Sequence, residues 1–243
     1  KKSTALAIGF SFNSIAEINS TRGRTYSDHL VENIATDLME KLSDKMSFYR
    51  LEGMRCAAIL DAGCTESREE LVEIVRGMMP KGASVATGGS ATLDALGVYD
   101  KLAAHNTVIW HWKQEANAAR KAAMQTQVYL SSANGLAESG EIVNIDGTGN
   151  RVSATLFGHE KVYFVIGRNK LAPTYEAAVY RARNVAAPQR ARQLGKKTPC
   201  AVKADRCYDC RSPERVCRAL VTLWGPMLGM ETEVLLVDED LGL

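Results

Sequence analysis

Apolar positions in this chain recur at two spacings, and the alternation between them outlines the fold. Near the start, Ala5 to Phe12 forms a β-prone run, and STRGRTYS (20–27) reads as loop. Ser27 then offers an N-cap to DHLVENIATDLMEKL, where Leu30, Ile34, Leu38 and Leu42 share one helical face. Ser67 and Glu70 make a capping-box pattern ahead of LVEIVRGMM, which Pro80 and Gly82 bring to an end.

Beyond that point short apolar runs alternate with segments of helical spacing. ASVAT predicts a strand; Gly88 and Gly89 follow, then the helix-like SATLDALGV. HNTVIWHW predicts a strand, EANAARKAAMQTQ an alanine-rich helix, and VYLSSAN another strand. VNID leads through a glycine turn into the helical NRVSATLFG. KVYFVIG, mostly β-branched or aromatic and closed by Gly167, is the strongest strand. TYEAAVYRARNVA predicts a helix, and RALVTLWG and ETEVLLVDED two closing strands. Strands alternating with helices predict an α/β domain with a mostly parallel sheet flanked by helices, and ligands of such sheets sit beyond the strand C-termini. The expected division is an N-terminal extension with a helix over 1–66 and the α/β domain over 67–243, including a cysteine loop at 198–218.

Composition narrows the function classes. Thirty basic against 28 acidic residues leave a net charge of +2, which gives no pull toward nucleic acid. No apolar stretch has the length of a membrane span. The apolar run after Lys1 and Lys2 is too brief for a signal peptide, and SFNSIAEINS is a poor cleavage region.

The cysteines add the sharpest chemistry. Four of six fall in the pattern C-x6-C-x2-C-x6-C: Cys200, Cys207, Cys210 and Cys217. Such clustering suits a metal centre in a reducing compartment, either a [4Fe–4S] cluster or zinc. Only Cys207 and Cys210 form a C-x2-C knuckle, whereas zinc commonly takes two. The spacing resembles the iron–sulfur loop of endonuclease-III-type DNA glycosylases, C-x6-C-x2-C-x5-C, with one more residue in the last gap. Lys203, Arg206, Arg211 and Arg215 lie between the thiols, either offsetting cluster charge or forming a solvated surface. Cys56 and Cys64 read as ordinary half-buried thiols.

Two further segments carry candidate binding groups. Gly88, Gly89, Ser90 and Thr92 lie where a strand passes into a helix, an arrangement that serves either an anion or a tight capped turn. SSANGLAESGEIVNIDGTGNRV gathers Asn134, Glu138, Glu141, Asn144, Asp146, Asn150 and Arg151. A hairpin explains much of it, yet period two puts Asn144 and Asp146 on one side of a strand, and Asn150 and Arg151 open the next helix. Turn-rich scaffold and substrate pocket both remain open there. His105 and His111 flank Trp110 and pair with no nucleophile in sequence, which favours a surface or core role.

Together GGSATLDALGV, SSANGLAESGEIVNIDGTGNRVSATLFG, KVYFVIGRNKL and RNVAAPQRA resemble the lactate-utilisation (LUD) domain family, and KTPCAVKADRCYDCRSPERVCR resembles its stand-alone, cysteine-rich branch. The resemblance implies a fold similar to the NagB/RpiA/CoA-transferase group. It maps Gly88, Gly89, Ser90 and Thr92 onto an anion loop and Asn134 to Arg151 onto the family's most characteristic stretch. Gly167, Asn169 and Lys170 fall on the turn after the next strand. It implies work alongside iron–sulfur partners in oxidising lactate to pyruvate.

The leading expectation is therefore a cytoplasmic iron–sulfur protein that passes electrons in oxidation of a small 2-hydroxy acid. Cys200, Cys207, Cys210 and Cys217 would hold the cluster, and Gly88, Gly89, Ser90, Thr92, Asn134, Asn144, Asn150 and Arg151 the small anionic substrate. No flavin or nicotinamide motif appears, so the hydride step would fall to a redox partner protein. The alternative is an enzyme on a small anionic or thio-substituted substrate, a lyase, transferase or hydrolase with Glu138 or Asp146 as general base. A partner-binding redox or metal sensor is the third.

Overall fold

The structure is a computed structural model that describes residues 4–11, 21–22, 46–51, 55–65 and 68–243. The helix expected over 28–42, and Ser67 of the capping box, lie outside the described residues. Strand β1 (Thr4–Ser11) matches the first apolar run, while β2 (Met46–Leu51) and β3 (Arg55–Thr65) were not expected as strands. Helix α1 (Arg68–Met78) buries Leu71, Val72 and Val75, a helical spacing.

Next come β4 (Ser84–Thr87), α2 (Ala91–Leu96) and α3 (Val98–Ala103). The single expected helix is split because Gly97, at φ 68°, ends α2 in a left-handed turn. There follow β5 (Thr107–Trp110), α4 (Ala116–Ala123), β6 (Val128–Ser131), β7 (Gly135–Ala137), β8 (Ile142–Asp146) and α5 (Asn150–Ala154). The chain continues through β9 (Lys161–Gly167), β10 (Leu171–Ala172) and α6 (Tyr175–Arg181). One π turn (Ala182–Ala186) leads from α6 straight into α7 (Ala187–Gln193); α8 (Pro199–Lys203), β11 (Ala219–Leu223) and β12 (Glu231–Val237) close the chain.

Among the described residues the main sheet has the order β2-β3-β1-β12-β9-β6-β4-β5. The run β12-β9-β6-β4-β5 is parallel, and β1, β3 and β2 extend it with antiparallel pairs. The fold is thus α/β with a mostly parallel central sheet flanked by helices, as the alternation of periods predicts.

Strand β9 explains the layering. Tyr163 and Val165 join the core that α1, α2 and α3 cover, while Val162, Phe164 and Ile166 join a second core with α4 and α5 on the other face. A strand buried on both faces reads as an unbroken apolar run, which is why KVYFVIG stands out in sequence. A second sheet, β10-β7-β8-β11, includes the β7–β8 hairpin, and α6 and the π turn pack on it through Ala178 and Ala182 respectively.

That packing is close. A methyl group on Gly135 would stand 2.5 Å from the Ala178 carbonyl oxygen. Gly135→Ala is therefore expected to destabilise the protein by about 2–3 kcal/mol, since backbone rather than a rotatable side chain must move. Urea denaturation against wild type measures it.

The chain steps from β4 outward to β5, then back across β4 to β6. Connections leaving β4 and β6 diverge there, and a crevice opens beyond the strand ends. No helix among the described residues is long and apolar enough to cross a membrane.

Candidate functional site: a cationic cleft beside four cysteines

A cleft of about 600 Å³ occupies this switch point. Gly89 and Ser90 after β4, Ser132 to Asn134 after β6, and Ile145 to Thr148 at and beyond the end of β8 line it. The start of α5, the π turn and α7 close it. The glycines permit the close approach. A methyl on Gly88 would meet Tyr129 Oη at 2.6 Å and Arg151 Cγ at 2.9 Å; one on Gly89 would meet the Trp112 indole at 3.1 Å. Ser90 caps α2, its Oγ accepting from Leu93 N at 3.3 Å.

Arg151 organises the lower wall. Its side chain is 12% exposed. Nη1 donates to Asn144 Oδ1 and to Ser132 O (3.2 Å), and Nη2 donates to Ile145 O (2.8 Å) and Asn134 Oδ1 (3.2 Å). Asp146 serves the same corner as a cap. Oδ1 accepts from Thr148 N and Gly149 N, Oδ2 accepts from Val152 N, and Arg151 Nε lies 3.8 Å away. A carboxylate holding three backbone N–H groups ties down the helix start.

Of the residues singled out in sequence, Gly89, Ser90, Asn134, Asp146, Asn150 and Arg151 line the cleft together. Gly88, Thr92 and Asn144 stand one layer behind, in contact with Arg151 or with the groups at Lys170. Glu138 is not brought there: it is exposed at the turn between β7 and β8.

Two more cleft residues were named in sequence without a binding role: His111, read as a surface or core residue, and Lys170, placed by the family resemblance on the turn after β9. His111 lines the cleft, and burial, with Arg120 and Arg190 near, lowers its pKa. Lys170 is 3% exposed, and its Nζ donates to Thr92 Oγ1 (2.7 Å) and Ser132 Oγ (3.1 Å). Burial, reinforced by Arg181 and Arg151, lowers its pKa to about 7. The signal for it in sequence was the family resemblance, which put Gly167, Asn169 and Lys170 on one turn after β9.

Charge in the cleft is far from the balance of the whole chain. Seven basic side chains line it against two acidic ones. Arg151 and Lys170 lie deep, while Arg120, Arg190, Lys196 and Arg215 surround them. Arg190 also lies 4.9 Å over the Trp112 ring. Such a cleft concentrates anions.

The cysteine loop forms the adjoining wall. Cys200, Cys207, Cys210 and Cys217 are free thiols and together line one narrow cavity. Ala187, Arg215 and Val216 line both this cavity and the cleft. Arg215 laces the loop, with Nε donating to Cys217 O and Nη1 to Cys210 O, both at 2.9 Å. Asp209 N donates to Cys207 Sγ at 3.3 Å, and Thr198 Oγ1 lies 3.3 Å from Cys200 Sγ. Among the described residues no three His, Cys, Asp or Glu side chains converge as a single ion requires.

Four thiols are the donor type and number that an iron–sulfur cluster takes when each thiolate binds its own iron. The room that the four side chains enclose as they stand, about 10 Å³, is that of a single water.

No curated protein matches the chain. Among solved structures, translation initiation factor eIF-2B from Pyrococcus horikoshii OT3 aligns at 14% identity with TM-score 0.32, over 44% of this chain and 48% of that one. eIF2B delta from Chaetomium thermophilum aligns at 10% identity with TM-score 0.30, over 46% and 50%. The chain thus spans about half the length of both. A DUF162 family protein from Deinococcus radiodurans aligns at 13% identity with TM-score 0.31, over 71% of this chain and 99% of that one. The LUD domain model matches residues 60–237, which hold the crevice strands, the cleft and the cysteine loop alike, and the chain therefore belongs to the LUD domain family.

Proposed function

We propose that this chain is an iron–sulfur protein of lactate utilisation, passing electrons in the oxidation of a small 2-hydroxy acid. LUD family membership points to a role related to lactate use. One observation carries the finer reading: the cavity shared by the four cysteines and the cationic cleft are neighbours with Arg215 and Val216 in common. A thiolate-held cluster supplies one-electron transfer when bound.

The chain's own residues do the rest. The basic side chains of the cleft attract and orient a carboxylate, while Arg215 holds the loop by two carbonyls. The hydride step belongs to a redox partner carrying an organic cofactor. Free thiols held in this number suit a reducing compartment, the cytoplasm.

Anaerobic isolation is expected to give a brown protein with iron and labile sulfide in equal amounts and an EPR signal on reduction. A colourless protein that carries stoichiometric zinc removes the electron-transfer role.

A further inference from the structure

Lys170 presents a chemistry that electron transfer does not use. Its hydrogen bonds show where the neutral amine would keep a free lone pair. The Leu241 carbonyl can only accept, so Thr92 Oγ1, 3.2 Å away, spends its hydrogen there. Ser132 Oγ in turn donates to Thr92 Oγ1 at 3.2 Å. Both hydroxyl oxygens are then left as acceptors for Nζ, at 2.7 and 3.1 Å.

A neutral amine has two hydrogens and one lone pair. Thr92 and Ser132 take the two hydrogens, and the lone pair remains. An ammonium in the same place would hold a third hydrogen. The charged groups that act on Lys170 are Arg181 and Arg151, both cations, and they disfavour that form as burial does. A desolvated amine next to cationic groups is the environment that activates a lysine as a nucleophile.

Lys170 and Ser132 both line the cleft, whose other charges are mostly positive. An amine that attacks carbonyl carbon, set among groups that hold carboxylates, selects a molecule bearing both. We propose that Lys170 is a catalytic residue that forms a Schiff base with a 2-oxo acid bound in the cleft. Nζ adds its lone pair to C2, and the carbonyl π electrons move to oxygen. Both amine hydrogens leave with that oxygen as water, and a C=N bond remains. No oxidant, reductant or further reactant is needed. Ser132 Oγ, 3.1 Å from Nζ, lies within reach to pass the proton.

The inference rests on the proposed function only in taking the cleft as the site of the acid; it does not need the cluster. Full-length protein is mixed with pyruvate, 2-oxobutyrate or 2-oxoglutarate and reduced with borohydride, and the modified lysine is located by peptide mass spectrometry. Lys170 is expected to carry the reduced adduct in excess over exposed lysines, on the order of a hundredfold at neutral pH, since an ordinary lysine is almost wholly protonated there. The yield should climb as pH rises through about 7 and then level off. Lys170→Arg should abolish it.

The site is read in the wild-type protein, so the result does not depend on how the variant folds. Labelling spread evenly over surface lysines, or no adduct at Lys170 from any of the three acids, overturns the proposal. Iron measured on the same samples keeps the two readings apart, because an adduct can form without iron and iron can bind without an adduct.

Discussion

Replacing Arg151 with methionine is expected to cost about 3–5 kcal/mol of stability, the loss typical of removing one partner from a buried charged network. The guanidinium holds Asn144 Oδ1, Asn134 Oδ1 and the carbonyls of Ser132 and Ile145, and it faces Asp146. Methionine fills similar space but leaves those acceptors without a donor. Lysine at 151 should recover only part of the loss, because an ammonium cannot reach around two sides as the planar fork does. Urea denaturation of wild type, R151M and R151K gives the ranking. Equal stability of all three would show that the acceptors find other donors. The same variants should lose anion binding in the cleft, since Asn134 and Ser132 both help to line it.

Cys210→Ser is expected to lower iron retention by more than about 100-fold, beyond the 10–100-fold typical when an outer-shell partner of a ligand is lost. Cys210 is half-buried on irregular chain, and neither large core includes it. Far-UV circular dichroism should therefore match wild type while the colour is lost. Cys200 is a poorer choice for this test. It packs in a small cluster with Ala191 and Ala201, so a change there mixes ligand loss with a packing defect. Unchanged iron in C210S, on quantitative metal analysis, would remove Cys210 from the ligand set.

Local chemistry was legible in the sequence. The run 161–167 announced the strongest strand, and Gly88, Gly89 and Ser90 announced either an anion loop or a tight capped turn, of which the cap is present. The segment 131–152 was visibly dense in candidate binding groups, and four of them, Asn134, Asp146, Asn150 and Arg151, do line one cleft. Which of them face a ligand was not legible. Asp146 looks the same in sequence whether it abstracts a proton or caps α5, and only the positions of Thr148, Gly149 and Val152 decide how its oxygens are used.

Glu138 shares a segment with the cleft residues yet sits at the far turn of a hairpin, a separation that depends on where the chain reverses. Lys170 follows a strand, where lysines usually meet water, and its burial comes from Thr92, Ser132 and Gly242, which are distant in the chain. The strand order β5-β4-β6, which opens the crevice, is a property of pairing over long separations and leaves no trace in local periodicity.

The Val216 carbonyl oxygen stands 2.5 Å from where a methyl on Gly147 would be, and Arg218 N donates to Asp146 O at 2.9 Å. The floor of one chamber is thus the ceiling of the other. An occupant of the thiol-bearing loop that changes the affinity of the neighbouring chamber must have its own affinity changed by the same factor when that chamber fills.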